Sequence, residues 1–178
     1  SGKLLREESY KGGKREGLMK EYKEDGSIIT KGEYMDDMKE GPWYYEIENY
    51  KEIGNYRAGM PDSIWKAYYV KEDKLMFTGN FLAGDPDGRH IMYYANGKIM
   101  AIGSYQGGMK QGNWKYFEEN GMPIISIDYD SDNEVKWNNQ LVLPTYEESL
   151  RAYDEVKRKL GPDKDRTIKD KAINEPEE

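Results

Sequence analysis

The feature that most constrains this chain is an internal repeat with a period close to 24 residues. Six aromatic residues, here called the anchors, recur at spacings of 24, 22, 25, 24 and 24 residues. The anchors are Tyr10, Tyr34, Tyr56, Phe81, Tyr105 and Tyr129. A fixed period of this length indicates one supersecondary unit copied along the chain, each copy burying surface against its neighbours.

Three further positions keep the same period. Two residues before an anchor stands a glycine, at Gly32, Gly54, Gly79 and Gly103. Seven residues after it come Gly17, Gly41, Ser63, Gly88 and Gly112, and nine residues after it come Met19, Trp43, Trp65, His90 and Trp114. Serine at 63, histidine at 90 and methionine at 19 are the departures from the pattern.

The first half of each repeat has the alternation of a β-strand. Strand side chains point to alternate faces, so Gly103 and Tyr105 share a face. The missing side chain of the glycine leaves space over the backbone, which a ring from the neighbouring strand can fill. We therefore expect Trp43, Trp65 and Trp114 to lie over glycines.

Turn signals separate the strands. The link "QGGMKQG" suits a hairpin whose residues adopt positive φ, and Asp-Gly or Asn-Gly pairs end at Gly26, Gly97 and Gly121. Each repeat then contributes two antiparallel strands. Mean hydropathy is low, at −1.02, yet the chain has 16 Tyr and 4 Trp. A thin sheet covered by aromatic rings explains both the low mean hydropathy and the high aromatic content. The sequence therefore predicts an all-β, single-layer meander of five to six hairpins.

The pattern G-x-Y-x-x-G-x-x-x-x-G-x-W-x-x-Y/F resembles the MORN repeat, in the variant form of bacterial, antitoxin-like proteins. The likeness covers about residues 9–130 and is strongest in the copies from Gly32 to Trp43 and from Gly103 to Phe117. It implies a single-layer β-meander and a role in binding or scaffolding rather than catalysis.

After residue 139 the pattern changes. The segment 140–161 has Thr145 and Glu148 in capping-box spacing and Gly161-Pro162 as a stop. It predicts a helix that caps the sheet or docks a partner. The sequence thus divides into repeats over 9–139, this helix over 140–161 and a charged, flexible tail over 162–178.

Little in the composition supports catalysis. There is no cysteine and one histidine, His90, which stands where other repeats have tryptophan and is best explained as a ring replacing a ring. We expect no enzyme activity and no cofactor. The run "DYDSDNE" spaces its carboxylates like a calcium loop but lacks the glycine and glutamate such a loop needs, which favours a solvated turn over a metal site.

The net charge of −7 is spread along the chain without a basic cluster, so nucleic acid is not an expected partner and membrane contact is disfavoured. No apolar run is long enough to span a membrane, which predicts a soluble chain. The compartment stays open, because a secretory leader could have been removed before Ser1.

Adjacent tyrosine pairs are the candidate binding residues. Neighbours on a strand point to opposite faces, and one layer cannot bury both, so some of these rings are expected to be exposed and to contact another molecule. Another protein or a second copy of the chain is the expected partner, and carbohydrate or cell-surface binding by the exposed tyrosine rows is the alternative. The pairs are Tyr44 and Tyr45, Tyr68 and Tyr69, and Tyr93 and Tyr94.

Overall fold

The computed structural model describes residues 5–138, which form one sheet of twelve antiparallel strands in chain order. The strands are β1 Arg6–Lys11, β2 Lys14–Tyr22, β3 Ile28–Met35, β4 Met38–Ile47, β5 Tyr50–Arg57, β6 Met60–Tyr69, β7 Lys74–Leu82, β8 Asp85–Tyr93, β9 Ile99–Gln106, β10 Met109–Phe117, β11 Pro123–Asp130 and β12 Asn133–Asn138. The predicted all-β meander is confirmed for this part of the chain. The predicted helix over 140–161 and the tail over 162–178 lie outside the described residues.

Each repeat is a hairpin closed by a two-residue turn in which both residues have positive φ. This is the type I′ geometry, whose twist matches that of the strands. Glycine adopts positive φ without strain, but the turns Asp36-Asp37 and Ser131-Asp132 contain no glycine. In those turns the second residue is an aspartate whose Oδ1 accepts a backbone N–H of the preceding hairpin. The bonds run from Arg15 to Asp37 at 2.9 Å and from Lys110 to Asp132 at 2.6 Å.

The position seven residues after the anchor is a bulge. Gly41 and Gly112 have φ of 66°, and Ser63 adopts 62° although it is not glycine. Near these positions the pairing within the hairpin shifts, for example between Gln111 and Lys115. The extra residue bends the second strand, so glycine recurs there because of its backbone conformation.

The glycines before the anchors serve a different purpose. A Cβ built on Gly32, Gly54 or Gly103 would lie 2.0–2.1 Å from an indole carbon of the next strand. The rings that lie there belong to Trp43, Trp65 and Trp114, as predicted. We call these glycines, together with Gly79, the slot glycines.

His90 takes the place of tryptophan over the remaining slot glycine, Gly79. Its Nδ1 lies 2.4 Å from the position of a Cβ on Gly79, and Phe77 fills the rest of the space at 2.5 Å. Its Nε2 is 2.8 Å from the carbonyl oxygen of Asn80, so Nε2 carries the proton. The Trp65 Nε1 donates to the equivalent carbonyl of Asn55 at 3.1 Å. The interpretation of His90 as a replacement ring is confirmed.

Anchors and slot-filling rings together form one continuous file. From Tyr34 to Tyr129 each ring meets the next edge to face, with centroids 4.7–6.5 Å apart and interplanar angles of 61–87°. Trp65 and Trp114 are 1% and 0% exposed. A single layer thus buries one face with its own side chains, and we call this the packed face.

Successive hairpins are also joined through their turns. In five turns the second N–H donates to a carbonyl of the preceding hairpin, as from Gly59 to Lys39 at 2.9 Å and from Gly84 to Pro61 at 2.8 Å. In four of them the first N–H also donates to a side chain of that hairpin. The acceptors are Glu16, Glu40, Asp87 and Gln111, at 3.0, 2.8, 3.4 and 2.9 Å.

Candidate binding surface

The second face of the sheet, here called the open face, carries the residues that alternate with the packed rings. One row of it crosses neighbouring strands in register, from Lys31 to Tyr44, then Ile53, then Lys66. All four side chains are exposed or half-buried. Contact with another molecule is therefore possible on this face without disturbing the aromatic file.

The tyrosine pairs divide between the two faces, as alternation requires. Tyr44 and Tyr68 lie on the open face and are half-buried. The Tyr44 hydroxyl donates to Glu46 Oε2 at 3.0 Å, and burial together with this carboxylate raises the pKa of Tyr44. The Nζ of Lys51 lies 5.5 Å from the centre of the Tyr68 ring. Each ring is contacted by one charged neighbour, Glu46 for Tyr44 and Lys51 for Tyr68, and keeps part of its surface accessible.

Tyr45 belongs to the packed face. Its ring lies parallel to those of Trp43 and Trp65, with centroids 5.8 and 6.5 Å away. Its hydroxyl donates to the Tyr56 hydroxyl at 3.3 Å, and burial raises the pKa of Tyr45 far above its usual range. Tyr45 contributes to the fold.

Tyr69 and Tyr94 join hairpins. The Tyr69 hydroxyl donates to the Tyr93 carbonyl at 2.8 Å, and the Tyr94 hydroxyl donates to the Phe117 carbonyl, also at 2.8 Å. Tyr93 is half-buried and pairs with Ile99 in the ladder. The structure therefore does not bring the six tyrosines together on one surface, and binding by Tyr44 and Tyr68 stays a prediction.

A lysine enclosed by rings lies on the packed face. The Lys39 Nζ is 4.8–5.2 Å from the ring centres of Trp43, Tyr45 and Tyr56. It donates to the Tyr45 hydroxyl at 2.9 Å, and burial lowers the pKa of Lys39. Lys110 repeats the arrangement over Trp114 and Tyr129. These cations complete the cover of the packed face by cation–π contacts.

A shallow trough on the open face was not predicted from the sequence. Its floor is apolar, with Ile53 39% and Ile64 57% exposed. Its lining includes Lys31, Pro42, Tyr44, Ile53, Ile64 and Lys66. Strand alternation was the signal available in the sequence. Ile53 is the neighbour of the slot glycine Gly54, so the two residues face opposite sides of the sheet.

A second exposed apolar strip follows the turn ends of the hairpins. It is separate from the trough and comprises Met35, Met38, Met60, Leu82 and Met109, each 43–59% exposed.

The acidic run ends β11, forms a two-residue turn and begins β12. Ser131 and Asp132 close the last hairpin with positive φ. The Asp128 carboxylate accepts from the Asn113 amide at 2.7 Å. Within residues 5–138 no group of three or more histidine, aspartate or glutamate side chains is arranged to hold a metal ion. Nor does this part of the chain contain a helix able to cross a membrane.

Comparison with known proteins supports the repeat. Residues 15–36 and 86–106 each match the model of the MORN repeat variant. The resemblance is thereby confirmed for these two segments, while its bacterial, antitoxin-like aspect stays a prediction. No curated protein matches the chain. Among solved structures, a mutant of S. aureus TarM in complex with fondaparinux, alpha-GlcNAc-glycerol and UDP matches with 10% identity and a TM-score of 0.29. The match covers 67% of this chain but 19% of that one.

Proposed function

We propose that this chain is a non-enzymatic protein-binding or scaffold module, and that its open face holds the partner. The observation that carries the proposal is the difference in packing between the two faces of the sheet. One face is filled by the chain's own rings, whereas the other keeps Ile53 and Ile64 exposed beside the half-buried Tyr44 and Tyr68. Exposed apolar and aromatic side chains on a rigid element mark contact surfaces.

The repeat family supports the same role, because MORN-type repeats suggest binding or scaffolding. A toxin is one candidate partner, through the antitoxin-like form that the sequence resembles. The glycan alternative has less support, since Tyr45, Tyr69 and Tyr94 use their rings or hydroxyls within the fold.

Affinity capture from the native host, compared between variants, tests the proposal. We expect the double variant Tyr44→Ser/Tyr68→Ser to lose a protein that the wild type retains, with an unchanged circular dichroism spectrum. The control is Tyr10→Ser, a ring 61% exposed on the first strand. Capture unaffected by the double variant, or lost equally in the control, would count against the open face. Sedimentation at several concentrations separates self-association from binding of another protein.

A further inference from the structure

We propose that the trough binds an acidic segment of the partner protein, in extended conformation and running across the strands. An apolar side chain of that segment packs against Ile53 and the Tyr44 ring, and its carboxylates pair with Lys31 and Lys66. This inference rests on the proposed function and names the chemistry of the partner.

The floor of the trough provides the apolar part of the contact. Ile53 and Ile64 expose 39% and 57% of their surface on a strand pair whose other face is closed. The Tyr44 ring stands beside Ile53 and is held by the bond from its hydroxyl to Glu46. A ring that is already oriented loses little freedom when a ligand packs against it.

The two lysines provide the charge. Lys66 has Ile53 and Thr78 as its neighbours across the ladder, and Ile64 and Tyr68 on its own strand face. None of these side chains is acidic. Within the described residues neither Lys31 nor Lys66 forms an ion pair.

Of the five carboxylates on β3 to β6, the strands that line the trough, four are already engaged, among them Asp62 in an ion pair with Arg57. Glu46 pairs with Lys23 and accepts from Tyr44, and Glu40 accepts the Ala58 N–H. Only Glu33 remains, two residues from Lys31 along the strand. The chain has a net charge of −7, yet the trough presents two lysines that can attract a negatively charged ligand.

The spacing of the lysines sets the spacing of the ligand's carboxylates. Lys31 and Lys66 are three strand positions apart in the register, which corresponds to about 14 Å. An extended peptide advances about 3.3 Å per residue, so two acidic residues about four positions apart reach both lysines. The residue midway between them then lies between Tyr44 and Ile53.

The test uses a labelled synthetic peptide with two glutamates four positions apart, a leucine midway and alanines between. Its binding to the full chain is followed by fluorescence anisotropy at low and high salt. We expect binding that weakens with salt, falls about tenfold when both lysines are changed in Lys31→Glu/Lys66→Glu, and falls similarly in Ile53→Ser. A peptide with lysines in place of the glutamates, or alanine in place of the leucine, should bind much more weakly. The matched control is Lys71→Glu, an exposed lysine in the link between β6 and β7, which should bind like the wild type.

Several results would overturn the assignment. Equal binding by the double lysine variant, or by the lysine peptide, excludes the charge pairing. Self-association that Ile53→Ser abolishes would assign the trough to a second copy of the chain, and binding to phosphatidylserine vesicles without the peptide would assign it to a membrane. If the peptide fails while Tyr44→Ser/Tyr68→Ser still loses a captured protein, the proposed function stands and only the acidic ligand is wrong.

Discussion

The two sets of glycines in each repeat differ in what a side chain would meet there. A Cβ on the slot glycine Gly103 would lie 2.1 Å from a carbon of the Trp114 ring, which is closer than nonbonded atoms can approach. At Gly112 nothing lies within 4 Å of a built Cβ. At Gly112 the constraint is instead the backbone, with φ of 66°. Alanine therefore probes packing at one position and backbone conformation at the other.

We expect Gly103→Ala to lower the free energy of unfolding by at least about 2 kcal/mol, because the indole of Trp114 has to leave its position. The control Gly112→Ala, on the paired strand, should cost about 1 kcal/mol through left-handed strain alone. Denaturant unfolding followed by circular dichroism measures both. Equal losses would mean that ring packing over the slot glycines contributes little.

The hairpin and its turn are the element that repeats. In five turns the second N–H donates to a carbonyl of the preceding hairpin, and in four of these the first N–H donates to a side chain there. Such bonds satisfy donors that a free hairpin would expose to water, and they fix each hairpin relative to the last.

Glu40 and Glu33 provide a matched test of this contact, since they face each other across one hairpin. Glu40→Ala removes the acceptor for the Ala58 N–H and should cost about 1 kcal/mol of unfolding free energy. The Ala58 amide should also exchange its hydrogen faster. Glu33→Ala is expected to change neither quantity, and a similar loss in both variants would show that the turn bond is not the cause.

The repeat was predictable because its causes are local. A slot glycine and its anchor lie two residues apart, and the ring that covers the glycine comes from the next strand, so period and alternation suffice. The faces of Tyr44 and Tyr45 follow from the same rule. The hydroxyl contacts of Tyr69 and Tyr94 do not, because their acceptors lie in the next repeat, 24 and 23 residues away. The trough also escaped prediction, since it depends on side chains from four strands and on the shape of the sheet between them.

Across the whole molecule, buried tyrosines couple stability to alkaline pH. Burial raises the pKa of Tyr34, Tyr45, Tyr56 and Tyr69 in the folded chain. The unfolded chain loses these protons near pH 10. Their contribution to stability is therefore complete below about pH 10 and declines as the pH rises above it. Lys39 has the opposite sign, because burial lowers its pKa, but it is a single group.

We expect the free energy of unfolding to fall between neutral pH and about pH 11, with tyrosinate absorbance and loss of the strand signal in circular dichroism changing together. Tyr45→Phe should make this fall less steep, since it removes the most strongly shifted of these hydroxyls. Tyrosines that ionise while the strand signal persists would contradict the coupling.

The docking of each turn has a direction. The N–H groups of a turn donate to acceptors in the hairpin that comes earlier in the chain. During synthesis on the ribosome, each new hairpin therefore emerges beside a template that is already complete. The same polarity means that the array of hairpins can be extended after its last hairpin by duplication of one unit, because each copy supplies the acceptors for the turn N–H groups of the next.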